Sequence, residues 1–346
     1  MKLSFRLEEL CLAQHQKKHG LIQRIAAKTN LKRQQVADLL HNRTKYLSME
    51  TLGKICDYLV TECGIKPEQL PGVLFDRAAE DFWHLLDDCN KLTLCLGMRR
   101  IDEEPMITHA DADLQTAFLY CVSSLTVGKP SYTLDHFLVA APTVSGEVAE
   151  RAKVEKLYTE FISGGSRALV AFGSNKINPV AERIMAGCFG ADPFAFDVVA
   201  RPGMRRAPVV LSYRDIDPKV KSCCGDTQLC RGKGFKKPGI YYEKNGNEWD
   251  WVPWVRDKRD AAFVLFDQHS GRVQMILAGF SARASRCLAN MLNEPEQFWP
   301  PSYTSAGRQV GIFIVEFRFK DKHDTRPEAN VIRLEEEVIA RRLEKP

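Results

Sequence analysis

The feature that most constrains the fold is a change of hydrophobic period near Leu92. From there on, "LTLCLGM", "DHFLVAAP", "RALVAFGS", "APVVLSY", "AAFVLFD" and "RVQMILAGF" are short, nearly continuous apolar runs. Runs of this length suit strands covered on both faces, since a half-exposed strand would alternate. Between several of them lie helical stretches: "DADLQTAFLYCVSSL", "GEVAERAKVEKLYTEFIS", "NPVAERIMAG" and "ARASRCLANML". Strand–helix alternation predicts an α/β domain over residues 92–346 with a mostly parallel sheet. "GIYYEKNGNEWDWVPW" breaks the rhythm, its Asn-Gly pair between aromatics predicting a β-hairpin. "EANVIRLEEEVIARRLEK" reads as a charged terminal helix on the surface or at a dimer contact.

Residues 1–75 carry a different pattern. Ile22, Ile25 and Ala26 form the apolar stripe of a short helix, and Val36, Leu39 and Leu40 form that of the next. Asn30, in "TNL" between them, is a residue that tolerates the left-handed conformation of a tight turn. "SMET" places Ser48 as the N-cap of a third helix, which buries Leu52, Ile55, Cys56 and Leu59 and stops at Gly64. "KPEQLPGVLF" predicts one more short helix, with Pro67 in its first turn. The region therefore reads as an all-α domain of five helices. "DRAAEDFWHLLDDCNK", residues 76–91, reads as a connecting helix. No Gly/Ser-rich or Pro-rich linker lies nearby, which predicts coupling between the two parts.

Charge separates the parts as well. The formal net charge is +5, and all of the excess lies in residues 1–70, which hold 12 Lys+Arg against 7 Asp+Glu. That asymmetry points to an anionic partner for the N-terminal part. "IAAKTNLKRQQVADLLHNRTKYLSMETLGKICDYL" places small Ala26 mid-helix, a turn four residues later, an inward Val36 and an S-x-E-T opening of the following helix. On these residues, roughly 5–75 resemble the Cro/C1-type (Xre family) helix-turn-helix domain, with Asn30 where Gly is common. The resemblance implies double-stranded DNA as partner, bound as a homodimer, with the second helix of the unit in the major groove. By matching positions, Arg33, Gln34 and Gln35 would meet base edges. Lys32, Asn42, Arg43 and Lys45 would lie nearer phosphates.

In the α/β part, three strand-to-helix junctions hold residues suited to a small anion. These are Gly173, Ser174, Asn175 and Asn178 in "VAFGSNKINPVAERI", Gly279, Ser281 and Arg283 in "LAGFSARASRCL", and Gly97 and Arg99 in "LCLGMRR". Ligands of a mostly parallel, Rossmann-like sheet gather at such junctions, where helix N-termini favour negative charge. None of the three is a G-x-G-x-x-G or a G-x-x-x-x-G-K-[ST] motif. They predict a small anionic or nucleotide-like effector.

No catalytic or metal constellation is assigned. Cys223, Cys224 and Cys230 in "SCCGDTQLCRGKGFKK" lack a C-x-x-C knuckle and read as part of an exposed basic loop. No H-E-x-x-H or G-x-S-x-G occurs. The odd total of eleven cysteines, spread over helices and strands, suits reduced thiols in a cytosol. No apolar run nears the length of a membrane span, and the first residues lack the core of a signal peptide.

The expected function is a cytoplasmic, bacterial or phage-type transcriptional regulator, a repressor, whose C-terminal domain senses a ligand, dimerises or does both. The alternative is a DNA-tethered enzyme acting on nucleotides or NAD, a hydrolase or N-glycosidase, in stress or phage defence.

Overall fold

The computed structural model describes residues 2–5, 7–13, 20–41, 43–44, 46–67, 70, 74–78, 82–101, 104–126, 133–141, 147–194, 207–214, 222–225, 237–244, 248–305 and 307–343. They fall into two compact units, residues 1–80 and 81–346. No helix among the described residues is long and apolar enough to cross a membrane.

The first unit contains β1 (Lys2–Phe5), α1 (Leu7–Ala13), α2 (Leu21–Thr29), α3 (Arg33–Leu40), α4 (Met49–Cys63) and β2 (Phe75–Ala78). It is not all-α, because β1 and β2 pair antiparallel and join the two ends of the unit. The last helix expected here, at "KPEQLPGVLF", lies largely outside the described residues, so four helices are described. Ile25, Val36, Leu39, Ile55 and Leu59 are buried in one core with Leu7 and Cys11. The helix ends follow their capping residues: the Thr51 N–H donates to Ser48 Oγ at 3.1 Å, and Gly64 at φ 65° ends α4.

The expected connecting helix over 76–91 does not form. Its first residues belong to β2, and Phe82–Leu86 make one turn of 3-10 helix. Phe82, Trp83, Leu85 and Leu86 are all buried in the core of the second unit. An apolar face this wide anchors the segment against the sheet.

The second unit is built on a nine-stranded sheet of order β12-β13-β10-β11-β6-β3-β4. Its elements in chain order are β3 (Lys91–Ile101), β4 (Glu104–Ile107), α5 (His109–Thr126), β5 (Thr133–Ala140), α6 (Glu147–Ser163), β6 (Arg167–Phe172) and α7 (Pro179–Phe189). Then follow β7 (Val209–Ser212), β8 (Gly239–Glu243), β9 (Trp249–Pro253), β10 (Arg259–His269), β11 (Arg272–Gly279) and α8 (Ala282–Met291). The chain closes with β12 (Tyr303–Ser305), β13 (Arg308–Arg318), β14 (Glu328–Arg333) and α9 (Glu336–Leu343). β5 lies beside β3, and β14 beside β13.

The mostly parallel, Rossmann-like sheet expected from the sequence is not what forms. Parallel pairing is confined to β5-β3, β3-β6 and β6-β11, whereas the other five described pairings of this sheet are antiparallel. The sheet is mixed. β7, β8 and β9 form a separate antiparallel sheet, so "APVVLSY" is not a strand of the main one. The hairpin predicted at Asn245-Gly246 is present as the β8–β9 pair, its turn residues lying outside the described set. The terminal helix begins only at Glu336, because residues 328–333 pair with β13 as an edge strand.

Both faces of the central strands are covered, as the apolar runs require, but β5 is not: its Leu134 and Leu138 are exposed, contrary to the expectation for "DHFLVAAP". Along β10, Ala261, Phe263 and Leu265 point to the layer that holds α6, α7, α9 and the small sheet. Ala262, Val264 and Phe266 point to the layer of α5 and α8. Strands with both faces covered expose their open end as the main place where a ligand can enter.

Candidate nucleic-acid interface and ligand cavity

The three junctions singled out in the sequence meet at one end of the sheet. A cavity of about 350 Å³ is lined there by Arg99 near the end of β3, Ser174 after β6, Gly279 at the end of β11, and Ser281 and Arg283 beyond it. This volume lies in the range of small-molecule sites, and the carboxyl ends of parallel strands are their usual place.

The glycines of the junctions mark close approaches. A Cβ on Gly97 would stand 2.4 Å from the Ile177 carbonyl oxygen, and one on Gly279 would stand 2.2 Å from the Ser285 backbone nitrogen. Gly173 adopts φ 92° and backs onto the Asp111 carboxylate. Bare backbone at these points lets the loop after β6 and the start of α8 close around the cavity.

Not every expected residue faces it. Asn178 caps α7 through the Val180 N–H at 3.0 Å and donates to the carbonyls of Cys95 and Phe172 at 2.9 Å each. Asn175 donates to Ser222 Oγ at 2.6 Å and to Glu182 at 3.3 Å. Both are buried framework groups, away from the cavity lining. Arg283 borders the cavity, but its guanidinium covers the Phe319 ring at 3.5 Å and donates to the carbonyls of Asp321 and Asp324 at 2.8 Å each.

The structure adds groups that the sequence did not single out. Lys176, Arg214, Arg256 and Arg259 join Arg99 and Arg283 around the cavity, against Asp111, Asp257 and Asp260. Asp111 and Asp260 are 4% and 3% exposed, so they are buried carboxyls at the edge of a cationic space. Thr108 and Ser285 hydroxyls donate to Asp111 at 2.5 and 3.2 Å. Asp260 accepts from the Ser281 hydroxyl and, at 2.9 Å, from the Ala261 N–H. Burial pushes the Asp260 carboxyl up to about 6, against the pull of these donors and of Arg283 and Arg214. Burial likewise raises Asp111, with Thr108, Ser285 and Arg99 opposing. The one sequence signal for Asp111 was T-x-x-D at 108–111, which also reads as an ordinary helix cap. Asp260 has no motif around it.

The cysteine cluster is not an exposed loop at its start. Cys223 and Cys224 are 4% and 2% exposed and pack on α7. Glu182 holds them, together with Phe194. Its carboxylate accepts from the N–H groups of Cys223 at 2.7 Å and Phe194 at 3.1 Å, from Ser222 Oγ at 2.5 Å and from Cys224 Sγ at 3.4 Å. Glu182, Cys223 and Cys224 have metal-ligating atoms close together. The carboxylate lone pairs are taken by hydrogen-bond donors, so the group works as a latch. Asp226, Cys230 and Arg231 lie outside the described residues.

In the first unit, α2 and α3 make the tight helical corner that the sequence suggests. Asn30 ends α2 in the left-handed region at φ 55°, and Lys32 turns the chain into α3. Lys32, Arg33, Gln34 and Gln35 are all exposed on the first turn of α3. Gln35 Oε1 accepts the Lys32 N–H at 3.1 Å, and Gln34 donates to Asp38 at 3.0 Å. Arg43 lies 3.5 Å from Asp38. Tyr46, beyond α3, is 92% exposed. Asn42 and Lys45 lie outside the described residues.

Residues 6–70 match the family model of the Cro/C1-type HTH DNA-binding domain. The N-terminal unit carries a Cro/C1-type domain. No curated protein and no solved structure matches the chain. Within the domain, the first turn of α3 is exposed.

Proposed function

We propose that the chain is a sequence-specific transcriptional regulator, a repressor acting as a homodimer, whose second unit binds a small anionic ligand and thereby controls DNA binding. Arg33, Gln34 and Gln35 read base edges, and Lys32, Asn42, Arg43 and Lys45 set register on phosphates. Gln34 then exchanges its bond to Asp38 for one to a base. The same reading puts the protein in a bacterial cytoplasm, with its DNA partner.

The observation that carries ligand control is the convergence of the junctions at Arg99, Ser174 and Gly279–Arg283 on one cavity with six cationic and three acidic side chains. Six cations around a small space attract an anion before contact and hold it after. A ligand controls DNA binding only if it favours one arrangement of the protein over another, so ligand and operator affinities must be linked. The test is operator affinity of the full-length protein, measured by fluorescence anisotropy, across a panel of phosphorylated and carboxylated metabolites. Linkage predicts at least a fivefold change with one of them. An affinity flat across the panel overturns ligand control and leaves the DNA-binding reading untouched.

The buried carboxyls favour a second reading, an enzyme acting on nucleotides or NAD. Asp260, titrating near neutral pH beside the cavity, has the property required of a general acid or base. Turnover of NAD or nucleotides by the full-length protein, lost in Asp260→Asn, would establish it.

A further inference from the structure

Resting on the anionic-ligand reading of this cavity, we infer that its ligand is a nucleoside phosphate. The phosphate is held by the cationic rim at Arg99, and the donor groups of sugar or base are held by Asp111 and Asp260.

A ligand that carries only negative charge fits half of this site. Asp111 and Asp260 are buried, line the cavity, and make no ion pair within 4.0 Å among the described residues. The nearby cations are held elsewhere: Lys176 lies 5.5 Å from the Tyr213 ring centre, Arg214 lies 5.0 Å from that of Trp254, and Arg283 caps Phe319. Among the described residues, the donors to the Asp111 carboxylate are two hydroxyls, and those to Asp260 are one hydroxyl and one N–H. A carboxylate offers about four acceptor positions, so each keeps capacity for a further donor. A bare phosphate or dicarboxylate would bring a repelling charge to those positions.

The complementary molecule therefore combines an anionic group with hydroxyl or amine donors. It also needs flat apolar area, because Trp254 and Phe280 line the same space and Phe280 is braced by Tyr213, stacked at 6.4 Å. A nucleoside phosphate has all three: a phosphate, a ribose diol or exocyclic amine, and an aromatic base. A volume of about 350 Å³ suits one such unit.

The test is isothermal titration calorimetry of full-length protein with inorganic phosphate, ribose 5-phosphate, the four unphosphorylated ribonucleosides and the four ribonucleoside monophosphates. Arg99→Gln, Asp260→Asn and Asp111→Asn are measured beside wild type, each after its melting curve shows a folded protein. At least one monophosphate should bind about tenfold or more tighter than ribose 5-phosphate, phosphate or its own nucleoside. Asp260→Asn should weaken that monophosphate about tenfold without weakening phosphate, because the sugar or base donor loses a charged acceptor whereas the bare anion loses only a repelling neighbour. Arg99→Gln should weaken monophosphate and phosphate alike. Asp111→Asn supplies the same reading as Asp260→Asn should the latter not fold. Inorganic phosphate binding as tightly as every monophosphate would overturn the nucleoside assignment while sparing the anionic-ligand reading. No binding by any compound would overturn both. A monophosphate that binds equally well to wild type and to the folded carboxyl variants would overturn the role given to Asp111 and Asp260.

Discussion

Asn30 holds a left-handed backbone at φ 55° in the corner between α2 and α3. A Cβ strains that conformation by roughly 1–2 kcal/mol, and Asn relieves part of it by local hydrogen bonding. Asn30→Ala should therefore lower stability by about 1 kcal/mol in urea unfolding, whereas Asn30→Gly should not. Equal losses would mean that the Asn side chain matters for some reason other than the turn. This residue was legible in the sequence because a turn between two helical stripes needs such a conformer.

Asp260 was not legible, since burial of one carboxyl depends on strands far apart in the chain. Its carboxyl is raised from 3.8 to about 6 in the folded protein, so folding retains a proton that the unfolded chain releases. Its contribution is thus fully present below pH 3.8 and is lost as pH rises through about 6, amounting to roughly 3 kcal/mol. Asp260→Asn removes this titration. Wild type should lose more stability than the variant between pH 4 and pH 7, and parallel pH profiles would contradict the burial of a titrating carboxyl there.

At the scale of elements, the sequence showed which runs are strands but not which way they run. A strand covered on both faces has the same apolar pattern whether its neighbour is parallel or antiparallel. The signal that distinguishes them lies in the connections. β10 and β11 are joined by Ser270 at φ 53° and Gly271 at φ 75°, with His269 opposite Arg272. Two left-handed residues in succession make the tight hairpin that forces antiparallel pairing, and the Ser-Gly pair was its trace in the sequence. β14 escaped notice for the opposite reason. It is an exposed edge strand, "EANVIR", whose residues alternate weakly and resemble a helix start.

α8 illustrates what positions the cavity. Its N-cap Ser281 accepts the Arg283 N–H at 3.1 Å, and its first turn lies against Gly279 with no room for a side chain. Gly279→Ala should push α8 off β11, costing about 1–3 kcal/mol in urea unfolding. It should also weaken any ligand of the cavity. Full stability with intact binding would mean that the helix start shifts without consequence. At the other end of the chain, α9 is tied to β8 by Glu243, fully buried, which accepts from Arg341 at 2.7 Å and Arg342 at 2.6 Å. Glu243→Ala leaves two guanidinium groups without their carboxylate and should cost about 3–5 kcal/mol. A loss under 1 kcal/mol, near the value of a surface pair, would show that α9 docks by its apolar face alone.

For the whole molecule, the charge excess and the family match fall on the same segment. All of the formal +5 excess lies in residues 1–70, within the unit of residues 1–80 that carries the Cro/C1-type domain. The domain was legible because helical stripes, caps and a special turn are local signals. The cavity was legible only in part: its glycines and serines stood out at strand ends, whereas its carboxyls and most of its cations come together from distant segments. Base reading by α3 is the central claim, and it has a direct test. The full-length protein would be used to select duplexes from a random library, and wild type and the Arg33→Ala/Gln34→Ala double variant then titrated onto the selected and scrambled duplexes at two salt concentrations. Base readout predicts that wild type prefers the selected duplex by 1,000-fold or more. The double variant should lose most of that preference but keep weak, salt-sensitive binding to both duplexes. Equal binding of wild type to both duplexes, or a double variant that discriminates as well as wild type, would contradict it.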